Sequence, residues 1–155
     1  DSLEVFSLGP QEPFSRSIAV TLKPTQLYAT DKTPGVYRAN GRYYSYEGGE
    51  WTNGKITFYP RELGDFTILS DTIPPVITRI YANTNVARFR IGDNLSGIAS
   101  FEATLNGKWL LMNYDAKTGI LVSEKLDPKT SLTGDFELTV TDQAGNKKTY
   151  AQKIQ

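Results

Sequence analysis

Hydrophobic and polar residues alternate in short runs along this chain, and helical spacing is nearly absent. No segment of about 10 or more residues free of Gly and Pro places apolar residues at i, i+3, i+4 and i+7. Near the end of the chain, Phe136, Leu138 and Val140 alternate with polar residues, which puts the apolar side chains on one face of a strand. The pattern predicts an all-β protein.

Three Asn-Gly dipeptides mark tight turns between the apolar runs, at Asn40-Gly41, Asn53-Gly54 and Asn106-Gly107. These residues tolerate the positive φ angles that two-residue hairpins require, so each dipeptide predicts a hairpin. In the first half the predicted strands are 18–22, 36–38, 42–46, 56–59 and 63–69, with Trp51 before the second turn. In the second half they are 75–81, 86–91, 98–105, 108–114, 120–124, 134–141 and 147–154.

Pro74 and Pro75 separate the two halves. Proline fixes φ, restricts the preceding residue and removes an amide donor, so this segment predicts a short, stiff linker. We therefore predict two tandem β-sandwich modules, a small sandwich-like domain at 1–72 and a second domain at 73–155. Seven short strands in about 80 residues, joined by short turns, are typical of an immunoglobulin-like β-sandwich.

Composition and charge limit the classes of partner. The chain is 39% hydrophobic and 12% aromatic, which suits a folded protein with a real core. Its 17 basic and 17 acidic residues cancel, so no long-range field favours nucleic acid or an anionic membrane. No apolar run approaches the roughly 20 residues that cross a bilayer, so we expect no membrane-spanning helix.

The chain contains no histidine and no cysteine. A Ser-His-Asp triad, a thiol nucleophile and the usual zinc ligands are therefore excluded within it, and no cofactor is predicted. Paired carboxylates could in principle hydrolyse glycosides, but they need a defined separation in a cleft. We interpret the candidate acids as solvated surface charges and predict that the chain is not an enzyme. These acids are Glu47, Glu50, Glu62, Asp65 and Asp115.

Three aspartates are the metal candidates. With immunoglobulin connectivity, Asp71, Asp93 and Asp142 would lie at one end of the second domain, where carboxylates could hold calcium between the two modules. The alternative is that Asp93 and Asp142 accept hydrogen bonds from amides in their own turns, with Gly97 and Gly145 supplying the unusual φ angles.

Aromatic residues cluster in the first half. Tyr44 and Tyr46 point to the same side of a strand while Tyr43 opposes them, and Trp51 follows closely. Tyr44, Tyr46 and Trp51 could form an exposed platform that stacks on sugar rings or grips a protein. The alternative is that these rings pack across strands and stabilise the hairpins.

Several motifs in order resemble one bacterial family. These motifs are the segments 36–51, 63–66 and 71–75, Asp93-Asn94-Leu95-Ser96-Gly97-Ile98, Gly107-Lys108-Trp109, Tyr114-Asp115 and Asp142-Gln143-Ala144-Gly145-Asn146. Together they cover most of the chain and resemble the C-terminal, non-catalytic, immunoglobulin-like region of Gram-negative lysostaphin-type peptidoglycan metallopeptidases. That family binds zinc through His and Asp, and this chain has no His. The resemblance therefore implies a non-catalytic accessory or targeting tail of a cell-envelope peptidoglycan hydrolase whose peptidase domain is absent here.

The resemblance also implies a bacterial periplasmic or extracellular location and, as partner, the attached peptidase domain or cell-wall glycan and peptide. The start at Asp1, without an initiator Met, is what a processed or excised fragment would have. The alternative function is a stand-alone extracellular carbohydrate-binding or adhesion module, with the aromatic platform as its site.

Overall fold

The computed structural model describes residues 3–10, 13, 16–29, 31 and 33–155. These residues form β-strands and loops with no α-helix among them, so the predicted all-β class is confirmed. Within the same described ranges, no helix is long and apolar enough to cross a membrane. The chain divides into two compact units, Asp1–Thr72 and Ile73–Gln155.

The first unit contains two antiparallel sheets that enclose its core. Val36, Phe66 and Ile68 lie on one sheet, and their side chains pack with those of Ile56 and Phe58 from the other. The Phe58 and Phe66 rings meet edge to face with centroids 5.0 Å apart. The sheets are β1-β7-β3-β4 and β2-β6-β5. Their strands are β1 (Val5–Ser7), β2 (Val20–Leu22), β3 (Gly35–Asn40), β4 (Tyr43–Gly48), β5 (Glu50–Thr52), β6 (Lys55–Phe58) and β7 (Asp65–Leu69).

The second unit is a sandwich of two four-stranded antiparallel sheets. Phe89 and Leu121 of one sheet and Phe136 and Leu138 of the other are fully buried between them, and the Phe89 and Phe136 rings stack at 5.2 Å. Its strands are β8 (Val76–Ala82), β9 (Ala87–Gly92), β10 (Ile98–Leu105), β11 (Lys108–Trp109), β12 (Met112–Asp115), β13 (Ile120–Ser123), β14 (Gly134–Asp142) and β15 (Lys147–Ile154).

The strand orders in this unit are β12-β13-β9-β8 and β11-β10-β14-β15. In chain order these correspond to strands D-E-B-A and C′-C-F-G of an immunoglobulin-like sandwich. The loop after β9 and the loop after β14 therefore lie at one end of the unit, while the β10–β11 turn and the β13–β14 loop lie at the other.

The segment 108–114, predicted as one strand, is two short strands in different sheets. β11 pairs with β10, whereas β12 pairs with β13. Between them the amide of Leu110 donates to the Ala103 carbonyl and the Leu111 carbonyl accepts from the Glu124 amide, so the backbone leaves one sheet and joins the other. Its continuous apolar run hides this switch, since both halves are compatible with a strand.

The first predicted turn is shifted by one residue. Asn40 pairs with Tyr43, so the two-residue loop is Gly41-Arg42, with φ of 62° at Gly41. A type II′ turn requires positive φ only at its first loop position, and Gly41 occupies that position. The turns at Asn53-Gly54 and Asn106-Gly107 have positive φ at both residues, as predicted.

Candidate functional site

Trp51, predicted as part of a stacking platform, is packed into the first unit. Its indole Nε1 donates a hydrogen bond to the Pro34 carbonyl at 2.7 Å, and its ring lies 5.8 Å from that of Tyr28. Both rings contact the core of this unit. Trp51 therefore has the contacts of a structural residue.

The two predicted tyrosines lie on β4, in the other sheet of the same unit. Tyr46 is partly buried, with its ring 5.2 Å from that of Tyr37. A methyl group at Gly35 would lie 2.8 Å from the Tyr46 ring, so this ring covers the backbone of β3. Tyr44 is 38% exposed. The three platform residues are thus divided between two sheets, and their role in stacking stays a prediction.

Asp93 organises the loop after β9. Its Oδ2 accepts hydrogen bonds from the amides of Leu95, at 3.1 Å, and Gly97, at 2.8 Å. The other oxygen, Oδ1, is buried and has no hydrogen-bond partner in the described part of the chain. Asp93 therefore caps its own turn with one oxygen and leaves the other available.

Asp142 organises the loop after β14 in the same way. It is 1% exposed and accepts hydrogen bonds from the backbone amide and the side-chain Nδ2 of Asn146, both at 2.8 Å. One carboxylate oxygen of Asp142 lies within 4.8 Å of one of Asp93, so the fold brings these two predicted residues together. Asp71 lies in the first unit, with its side chain buried. The three-aspartate calcium site stays a prediction.

Two of the five candidate acids meet at one arginine. Arg38 forms ion pairs with Glu62 and, at 3.6 Å, with Glu47. Burial raises the pKa of Glu47 above its usual value, while the charges of Arg38 and Arg61 act in the opposite direction. Both carboxylates, those of Glu47 and Glu62, are therefore paired with the Arg38 guanidinium.

The remaining candidate acids are dispersed. Asp65 accepts a hydrogen bond from the Ser7 hydroxyl at 2.6 Å. Asp115 accepts from the Thr118 hydroxyl at 2.8 Å, and this bond, followed by that from the Lys117 amide, lowers the pKa of the carboxyl. Glu50 is exposed at the start of β5. Asp115 therefore caps its own turn, Asp65 bonds across strands β1 and β7, and Glu50 lies in solvent.

A pocket of small-ligand size lies at the end of the second unit opposite the Asp93 loop. It has a volume of about 370 Å3 and is formed by the β10–β11 turn, the segment that follows it and the β13–β14 loop. Trp109 is 63% exposed there, and Leu126, which also lines the pocket, is 82% exposed. Two large apolar side chains thus border one concave surface.

Hydrogen bonds hold the two walls of this pocket together. The Asn106 side chain donates to the Thr133 carbonyl at 3.0 Å and accepts from the Asp135 amide at 2.9 Å. On the other side the Glu124 amide donates to the Leu111 carbonyl. A site with fixed walls loses little conformational entropy when a ligand binds.

The rim of the pocket is polar and its charges balance. Lys108 and Lys125 contribute two positive charges, and Glu124 and Asp127 contribute two negative ones. Hydroxyl groups of three further lining residues, Thr130, Ser131 and Thr133, add hydrogen-bonding capacity. An apolar floor with a few polar groups and no net charge is suited to a neutral, hydroxyl-rich ligand.

Sequence reasoning selected Trp51 for the exposed platform and did not single out Trp109, which is the exposed tryptophan of the two. Each tryptophan lies two residues from an Asn-Gly turn, so their local contexts are alike. The neighbouring Lys108 and the shortness of β11 are the only local signs that Trp109 belongs to an edge strand, because charge and short length are typical of strand edges.

Comparisons with known proteins leave the family open. No protein-family model matches the chain, and no curated protein matches it. One solved structure, an apo form of an expansin from Clavibacter michiganensis, aligns over 92% of this chain and 78% of its own length, with 14% identity and a TM-score of 0.37. At that TM-score the alignment carries no argument about fold or function. The resemblance to lysostaphin-type peptidases stays a prediction.

Proposed function

We propose that this chain is a non-catalytic carbohydrate-binding module, with the Trp109 pocket as the site of a sugar residue. The observation that carries the proposal is an indole 63% exposed over a pocket whose walls are hydrogen-bonded to each other. An indole ring offers a large apolar face at small entropic cost and matches the C–H face of a sugar ring.

The volume of the Trp109 pocket and the charges at its rim both support a neutral sugar as the ligand. The volume of about 370 Å3 falls in the range typical of small-ligand sites. Two lysines and two acids cancel at the rim, so neither anions nor cations are selected by charge. The hydroxyls of Ser131 and Thr133, which lie 2.8 Å from each other, can exchange their mutual hydrogen bond for bonds to ligand hydroxyls.

The absence of catalysis is part of the proposal. Its support is that the candidate acids have structural partners: Glu47 and Glu62 contact Arg38, and Asp115 is bonded within its own turn. A glycosidase needs one carboxyl free to protonate the leaving group and a second facing the sugar. We therefore expect no turnover of glycans or peptidoglycan by the isolated chain.

The test is glycan binding by the full chain and a Trp109→Ala variant. Affinity electrophoresis in gels containing soluble neutral glucans or chitin oligosaccharides, together with pull-down on insoluble peptidoglycan, supplies the probes. We expect retardation or capture of the wild type by at least one of them. Loss of a central aromatic contact typically costs more than 1.4 kcal/mol, so Trp109→Ala should weaken binding by at least about tenfold.

Tyr59→Ala is the matched control, because Tyr59 is 64% exposed and lies in the first unit. It should bind as the wild type does. Failure of the wild type to bind any of these glycans, or equal binding by Trp109→Ala, would reject the proposal. Loss of binding in Trp51→Ala or Tyr46→Ala, after correction for folded fraction, would instead support the platform on the first unit.

The same experiment also tests whether the chain is a targeting tail of a peptidoglycan hydrolase. Binding that is selective for peptidoglycan over the neutral glucans would agree with a role in targeting an attached hydrolase and with a location in the bacterial cell envelope. In that role, linkage raises the effective concentration of the enzyme near its substrate even when the module binds weakly.

A further inference from the structure

A second surface of the same unit, separate from the Trp109 pocket, carries two arginines on the outer face of the sheet β12-β13-β9-β8. Arg88 and Arg90 alternate with Phe89 on β9, so both point away from the core, about 7 Å apart along the strand. They line an open groove with a volume of about 610 Å3. We propose that this groove binds the carboxylates of an acidic polysaccharide.

The two guanidinium groups have no counter-charge in ion-pair contact among the residues that the structure describes. No described carboxylate forms an ion pair with either arginine. The Nε of Arg88 is buried and has no hydrogen-bond partner in the described part of the chain. The counter-charge of the two guanidinium groups therefore comes from solvent ions or from a bound anion such as a carboxylate.

Asp115, which also lines the groove, does not neutralise them. Its carboxylate accepts hydrogen bonds from the Thr118 hydroxyl and the Lys117 amide within its own turn. Arg90 pairs with Ile120, and Ile120 pairs with Asp115, so two strand spacings, about 10 Å, separate the backbones. The lining of the groove therefore contains two positive charges and one negative charge, which leaves it with a net positive charge.

The groove also has apolar and aromatic walls. Tyr81, 38% exposed, lies directly opposite Arg88 on β8, and Val122 flanks Arg88 on β13. A guanidinium forms two parallel hydrogen bonds to a planar carboxylate, and the adjacent ring can cover the face of the same sugar. Two cations in a chain of zero net charge make a poor site for nucleic acid, which is held mainly by many phosphate contacts.

The assignment of this ligand as a carbohydrate rests on the proposed carbohydrate-binding function. The residues that would bind it differ from those of the Trp109 pocket. The test uses the full chain with oligogalacturonate and its methyl ester, which have the same sugars and differ in the free carboxylate. We expect oligogalacturonate to bind at least about tenfold more tightly than the ester, with affinity falling as salt rises. This comparison needs no variant, so it does not depend on the folding of a mutant.

Arg88→Gln and Arg90→Gln should each reduce the affinity for oligogalacturonate about tenfold. Arg42→Gln is the control, because Arg42 is an exposed arginine in the β3–β4 turn of the first unit, and it should have no effect. Arg90 is exposed, so its substitution leaves the fold intact. Each variant is checked by thermal melting before binding is measured.

Equal binding of the ester, no binding of oligogalacturonate by the wild type, or wild-type affinity in both glutamine variants would overturn this proposal. Equally tight binding of a DNA oligonucleotide of matched charge would also overturn it, since the groove would then be a general polyanion surface. The two proposals fail separately, because neutral-glycan binding is tested at Trp109 and carboxylate discrimination at Arg88 and Arg90.

Discussion

At the scale of single residues, backbone conformation explains which glycines are replaceable. Gly107 and Gly119 have nearly the same positive φ, 73° and 70°. A methyl group on Gly107 would meet no atom within 4 Å, whereas one on Gly119 would lie 2.6 Å from the backbone carbonyl oxygen of Ile91. That carbonyl belongs to β9, whose Ile91 amide in turn donates to the Gly119 carbonyl. The turn before β13 is therefore held tightly against the sheet.

We expect Gly119→Ala to lower the free energy of unfolding by about 2–4 kcal/mol, from the positive φ and the steric conflict together. Gly107→Ala should cost about 1 kcal/mol, because it carries only the conformational penalty. Urea denaturation of both variants measures the difference. Equal losses would show that the backbone at Gly119 can move away from the Ile91 carbonyl.

At the scale of elements, two hairpins with similar sequences use their tryptophans in opposite ways. Trp51 on β5 precedes the Asn53-Gly54 turn and packs against Tyr28. Trp109 on β11 follows the Asn106-Gly107 turn and lies mostly in solvent. Both strands lie at the edges of their sheets, so strand position does not separate the two tryptophans. They differ in whether other parts of the chain cover the indole ring.

Trp51→Ala should therefore destabilise the protein by about 2–4 kcal/mol, because it removes packed area and the hydrogen bond to the Pro34 carbonyl. Trp109→Ala should change the free energy of unfolding by no more than about 0.5 kcal/mol, as is usual for exposed positions. Denaturant melts of the two variants provide the comparison. A large loss in Trp109→Ala would mean that this indole is a structural residue.

At the scale of the whole molecule, each unit has its own core. Phe58 and Phe66 lie at the centre of the first, and Phe89 and Phe136 at the centre of the second. Sequence reasoning predicted the all-β class and most strands of both units, because alternation and turn residues act over a few neighbours. It did not predict the switch of the chain between sheets after Trp109, which depends on partners distant in sequence.

The calcium hypothesis also belongs to this scale, since its three aspartates come from both units. It predicts that calcium at about 100 times its Kd stabilises the folded chain by about 2.7 kcal/mol relative to a chelator. Thermal melts in calcium and in EDTA measure this shift, and Asp93→Asn should abolish it because the free Asp93 Oδ1 would be lost as a charged ligand. Identical melting curves for the wild type would eliminate the hypothesis.

The sequence by itself determined the class of structure and the places where the chain turns, because strand alternation and the φ preferences of Asn and Gly are local properties. The exposure of Trp109, the packing of Trp51 and the groove that neighbouring strands form beside Arg88 and Arg90 were decided only by tertiary structure. Whether a side chain is covered or free depends on which distant strand lies over it. No short stretch of sequence contains that information.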